Sequence, residues 1–93
     1  MDVIWKFPLA EADRQTVMIP RQAELLCVQV QRDTPCLWAR CDSARDSVVI
    51  EIAIIGTGSP IRTDDRLTYV DTFQMRDGHL VWHVFVVGAG TSP

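Results

Sequence analysis

The sequence predicts a small all-β domain, an antiparallel sandwich or barrel of six to seven strands over residues 1–88, with a flexible C-terminal tail at 89–93. Three observations carry that expectation. Apolar residues recur mostly at period two, where a helix would show 3.6. The apolar runs are bounded by Pro, Gly, Asp and Ser. With 93 residues the chain has room for one hydrophobic core and not for two.

The runs place strands at 3–7, 15–19, 25–31, 36–41, 47–55, 67–74 and 80–87. Between the first two, "LAEADRQ" is the only helical candidate, and it is too short to stand alone. The third run puts Leu26, Val28 and Val30 on one face and Cys27, Gln29 and Gln31 on the other. "RDTP" then closes a hairpin into "CLWARC", where Leu37 and Ala39 oppose Trp38 and Arg40. "DSARD" turns the chain into the fifth run, whose two faces, Val48/Ile50/Ile52/Ile54 and Val49/Glu51/Ala53/Ile55, are both largely apolar. A second hairpin turns on Asp77-Gly78, a pair suited to positive φ, and leads into a last strand that also has two apolar faces. Strands apolar on both sides need more cover than a chain this short supplies, so the sequence predicts a homo-oligomer.

Composition excludes several roles. The net charge is −3, from 9 basic and 12 acidic residues, and no Lys/Arg cluster forms a phosphate-tracking stripe. Duplex nucleic acid is therefore not an expected partner. The longest apolar run, 48–55, falls well short of the ~20 residues that cross a bilayer, and it contains Glu51. The first 15 residues lack the basic and apolar regions of a secretory signal. Cys27, Cys36 and Cys41 are an odd set, which suits buried thiols in a reducing cytoplasm better than a disulfide framework. A soluble cytoplasmic protein without a membrane role is the expectation.

The chemistry centres on "IIGTGSPI". Gly56 and Gly58 permit conformations in which successive amides converge, and Thr57 and Ser59 add hydroxyls. Together they form a candidate cradle for a phosphate or a nucleobase edge, with Arg62 just beyond. The same residues equally make a tight exit from a buried strand. The pattern is neither the Walker loop nor the dinucleotide fingerprint. Trp38 shares a strand face with Arg40, a pairing that can stack a base and clamp a phosphate, or serve an oligomer contact. Asp64 and Asp65 are adjacent, so in a strand they diverge and make a poor paired-carboxylate site. His79 and His83 lie four apart, but no Cys-x-x-Cys accompanies them, and no metal site or cofactor is assigned. No nucleophile elbow or catalytic motif occurs, so an enzyme is not expected.

The segments "IWKFPL", "VQVQ" with "TPCLWA", "IIGTGSPI", and "YVDTFQM" with "LVWHVF" resemble a family of small proteins of unknown function carried by tailed phages and prophages. The resemblance spans nearly the whole chain. It implies phage origin and a compact β fold, so the cytoplasm expected above is a host's, and it supplies no catalytic residues. It marks Trp38, Gly56, Thr57, Gly58, Pro60 and Phe73 as the positions that make the pattern. The functional expectation is a counter-defence protein that sequesters a cyclic oligonucleotide signal as a sponge, with Trp38, Arg40, Gly56, Thr57, Gly58, Ser59 and Arg62 as ligand-binding residues. The alternative is a protein-binding inhibitor of a host defence component, or a minor virion or assembly protein.

Overall fold

The computed structural model describes residues 1–62 and 66–88, and the expected tail at 89–93 and the Asp64/Asp65 pair lie outside them. Seven strands form: β1 Asp2–Pro8, β2 Arg14–Pro20, β3 Glu24–Gln31, β4 Thr34–Asp42, β5 Ser47–Gly56, β6 Leu67–Met75 and β7 Leu80–Val87. Every pairing is antiparallel. The strands divide into a three-stranded sheet, β1-β4-β3, and a four-stranded sheet, β2-β5-β7-β6, so the fold is a sandwich and not a closed barrel. The shortest dimension, 16 Å, suits two pleated layers about 10 Å apart. Among the described residues there is no helix, and residues 9–13 cross between the sheets, bending at 11–13. Gln15 holds that crossing by accepting from the Ala10 amide at 2.8 Å and donating to its carbonyl at 2.9 Å.

The inner faces follow the period-two pattern. Leu37, Ala39 and Cys41 of β4 meet Ile50, Ile52 and Ile54 of β5, with Ile19, Val28, Phe73 and Val84 closing the core. Ile19, Val28, Leu37, Ile52 and Val84 are wholly removed from water. Each such burial contributes about 1.5–3 kcal/mol before the entropy of ordering is charged against it.

Turn chemistry matches the backbone. Arg32 and Asp33 both have positive φ, 50° and 65°, as a two-residue hairpin loop requires to follow the twist of β3 and β4. The β6–β7 loop likewise has positive φ at Arg76, Asp77 and Gly78, where glycine supplies the conformation without strain. After β4, Asp42 accepts the Ala44 amide at 3.0 Å in an Asx turn. That hydrogen bond, with help from the N-terminal amine and Arg45, holds the Asp42 carboxyl below its usual range.

One face assignment is corrected. A β-bulge between Leu25 and Cys27 shifts the register of β3 against β4, so Leu25 packs on the core and Leu26 turns outward, 42% exposed. Strict alternation had put Leu26 with Val28, and the extra residue breaks that alternation. A second bulge, between Tyr69 and Asp71 in β6, has a structural consequence. The edge strands β3 and β6 lie against each other, and Asp71 joins them. Its Oδ2 accepts the Val28 amide at 2.8 Å while Oδ1 accepts the Thr72 amide at 2.8 Å. Burial, with a smaller contribution from the Asp71 charge, pushes the nearby Cys27 thiol up.

Candidate functional site

Residues 56–59 form a turn closed by the Ser59 amide donating to the Gly56 carbonyl at 3.0 Å. Gly58, third in that turn, has φ +88° and Thr57 has no positive φ, the signature of a type II turn. The Thr57 amide donates to the Val81 carbonyl at 3.1 Å. Two of the loop's amides are thus committed to backbone acceptors, so they do not converge on a common anion. Gly56 has another reason to be glycine: a Cβ there would meet the six-membered ring of Trp82 at 3.0 Å.

Ser59 and Arg62 line a groove of about 490 Å³, together with Gly56, Pro60, Arg14, Glu51 and the Trp82 indole. Arg14 pairs with Glu51 at 2.7 Å. A second cavity of about 260 Å³ lies alongside, floored by Phe73, Met75, Leu80 and Ile54 and rimmed by Glu11, Asp13 and Arg76. Asp13, Ile54 and Trp82 border both spaces, so the indole is the wall between them. A flat apolar surface beside guanidinium and hydroxyl groups fits a planar, anionic small molecule.

The seven expected site residues are not brought together. Gly56, Ser59 and Arg62 reach the groove, with Gly58 shaping the turn beneath them. Thr57 points to the outer side of the four-stranded sheet. There its hydroxyl lies 2.8 Å from His83 Nε2, while His83 Nδ1 lies 3.0 Å from the Thr72 hydroxyl, which is 2.7 Å from the Tyr69 hydroxyl. Trp38 and Arg40 sit on the outer face of the other sheet. Arg40 pairs with Asp2 at 3.0 Å, and the Lys6 ammonium lies 5.9 Å from the centre of the Trp38 ring. Lys6 also donates to Gln31 at 2.6 Å, which fixes that cover in place. Trp38 Nε1 is buried with no hydrogen-bond partner among the described residues.

Asp13, Arg14, Glu51 and Trp82 are groove residues that sequence reasoning does not select. Trp82 was read as one apolar position among several on the last strand. Only the β5–β7 register, which pairs Gly56 with Trp82, shows why a glycine faces it. Among the described residues, no group of three or more His, Cys, Asp and Glu side chains is placed to hold a metal ion. No helix among them is long and apolar enough to cross a membrane.

A family described as "Domain of unknown function (DUF7352)" matches residues 1–92. No curated protein and no solved structure matches the chain.

Proposed function

The chain belongs to the DUF7352 family, and we propose that it is a non-enzymatic binding protein that sequesters a nucleotide-derived anion, a cyclic oligonucleotide signal, in the groove beside Trp82. In this reading it is a phage counter-defence protein acting in the host cytoplasm. The observation that carries the proposal is the groove of about 490 Å³ in which Arg62, Arg14 and Ser59 stand beside the indole. Guanidinium groups take phosphate oxygens bidentately, and an indole face takes a base at about 1–3 kcal/mol per stacked base. Asp13 and Glu51 on the same walls supply acceptors for amino groups on a base edge. The acidic net charge does not oppose this, because a small cyclic nucleotide is held by local donors and not by a long-range field.

Native mass spectrometry with a panel of cyclic di- and trinucleotides tests the proposal. Discrete ligand masses are expected on the wild-type protein and not on Arg62→Ala or Ser59→Ala/Arg62→Ala, while Thr57→Ala, altered on the far side of the turn, keeps them. A protein that stays bare across the panel overturns the reading.

A second reading has its own observation. β1 is an edge strand paired only with β4, and it carries Ile4 and Trp5 at 62% and 42% exposure. Such an edge accepts a partner's strand, the geometry a protein-binding inhibitor or assembly component uses. Capture of an extended peptide by a protein indifferent to nucleotides would favour it.

A further inference from the structure

The outer face of the four-stranded sheet is apolar where a solvated face would be polar. By register, Met18 of β2 faces Val49 of β5, and Tyr69 of β6 faces Phe85 of β7, with Ile55 and Val87 on the same side. Met18, Val49 and Tyr69 are 58%, 61% and 57% exposed. Tyr69 and Phe85 stack edge to face with centroids 5.7 Å apart, which stiffens the β6–β7 side of the patch. Several polar groups of this face are paired within it, Arg14 with Glu51 and His83 with Thr57 and Thr72, while Thr16 and Gln74 stand exposed towards its margins. The opposite face of the sandwich differs. Asp2, Lys6, Glu24, Gln29, Gln31 and Arg40 dominate it, with Ile4 and the bulged Leu26 as its exposed aliphatic side chains among the described residues.

We infer that this face is the interface of a two-fold dimer, in which the four-stranded sheets of two copies of the chain pack face to face. Three features select a second copy as the occupant. The paired Arg14 and Glu51 leave the patch without net charge, so a copy meets it free of the like-charge repulsion that a surface reflecting the chain's −3 would bring. Four strands at about 4.8 Å spacing and six to seven residues at about 3.3 Å give roughly 400 Å² in projection for the whole face, Arg14, Thr16 and Glu51 included, the size at which a monomer's largest patch is often an interaction site. A standard interface takes roughly 800 Å² per partner, so the dimer needs the whole face and its rim and not the apolar side chains alone. Two twisted antiparallel faces with interdigitating apolar side chains pack at about −30°, the aligned packing of sheet on sheet. A two-fold axis through the patch sets the same row against itself, so one set of side chains supplies both halves.

The dimer does not rest on the nucleotide reading, but it bears on it. Arg14, Glu51 and Ile55 border both the patch and the groove, so dimerisation places the two grooves at the rim of the interface.

Sedimentation velocity of the ligand-free protein, with far-UV circular dichroism as the check on folding, tests the inference. The wild type is expected to sediment as a dimer. Val49→Asp places a carboxylate in the interface at a position that each isolated subunit leaves open, and should weaken association about a hundredfold or more while the β spectrum is kept. Met18→Asp is the second variant, should Val49→Asp fail to fold. Ile4→Asp, equally exposed on the other sheet, should remain dimeric. A monomeric wild type overturns the inference, as does a dimer that survives folded Val49→Asp and Met18→Asp or one that Ile4→Asp dissociates. Because no nucleotide is present, none of these results depends on ligand binding.

Discussion

Asp71→Ala should be among the most damaging single changes at a position outside the hydrophobic core. The Asp71 carboxylate joins the edges of the two sheets by accepting the Val28 amide at 2.8 Å, and it also takes the Thr72 amide at 2.8 Å. Val28 is fully buried, so its amide has no water to fall back on. Leaving one buried donor unpaired costs about 1–3 kcal/mol, and hydrogen bonds to a charged acceptor lie towards the upper end. Thr72 is partly exposed and regains some of its loss from solvent. A total of about 2–3 kcal/mol follows, or a fall in Tm of roughly 8–24 °C for a domain of this size. Asp71→Asn separates hydrogen bonding from shape, since an amide offers one acceptor oxygen where two N–H groups converge, and its NH2 opposes the other. It should lose about half as much. The charge adds an independent readout. Asp71 opposes ionisation of the Cys27 thiol, so Asp71→Asn should lower that thiol's pKa and speed its alkylation at neutral pH. Urea and thermal melts of the three proteins, with thiol labelling of the native state, check both parts. A Tm for Asp71→Ala within about 2 °C of wild type would refute the argument that this carboxylate holds the sheets together.

Three further changes test the loop and the covered tryptophan. Gly58→Ala should cost about 1 kcal/mol or more, because φ +88° strains any residue with a Cβ. Gly56→Ala should cost less, since the Trp82 ring it crowds borders open space into which it can move, yet it should change Trp82 fluorescence and weaken any ligand of the groove. Equal melting of the two variants would contradict this division of roles. Trp38→Phe removes a buried N–H that has no partner among the described residues, offsetting the loss of ring area, so stability should stay within about 1 kcal/mol of wild type. A loss above about 2 kcal/mol by denaturant melting would mean that the Nε1 proton is satisfied in solution.

The strands were legible because each is long enough for period two to show. Ile50, Ile52 and Ile54 on one face of β5 leave no other way to bury them, and the core is built as that alternation requires. The turns at Arg32-Asp33 and Asp77-Gly78 were legible for the same local reason, short polar stretches between apolar runs. The bulges were not. Nothing in "ELLCVQ" distinguishes Leu25 from Leu26 as the inward residue, because the choice is set by pairing with β4, and in β6 the bulge brings Asp71 to its partner in a strand 43 positions away.

The candidate site divides along the same line. The glycine turn was legible as a turn, and its hydroxyls as polar groups, but which side of the sheet each hydroxyl takes follows from its place in the turn. Thr57 and Ser59 are two apart, which in an extended strand means a common face. The type II turn at Gly58 breaks that rule and sends Thr57 to His83 and Ser59 to the groove. Trp38 with Arg40 failed for a different reason. The two do share a face, as period two demands, but cross-strand neighbours already occupy both, Lys6 over the ring and Asp2 on the guanidinium. A pair that looks open to a ligand in one strand is filled by the strand beside it. In a β protein, therefore, the residues of a site are identified by register before motif, and Trp82 opposite Gly56 is the pair on which that argument converges here.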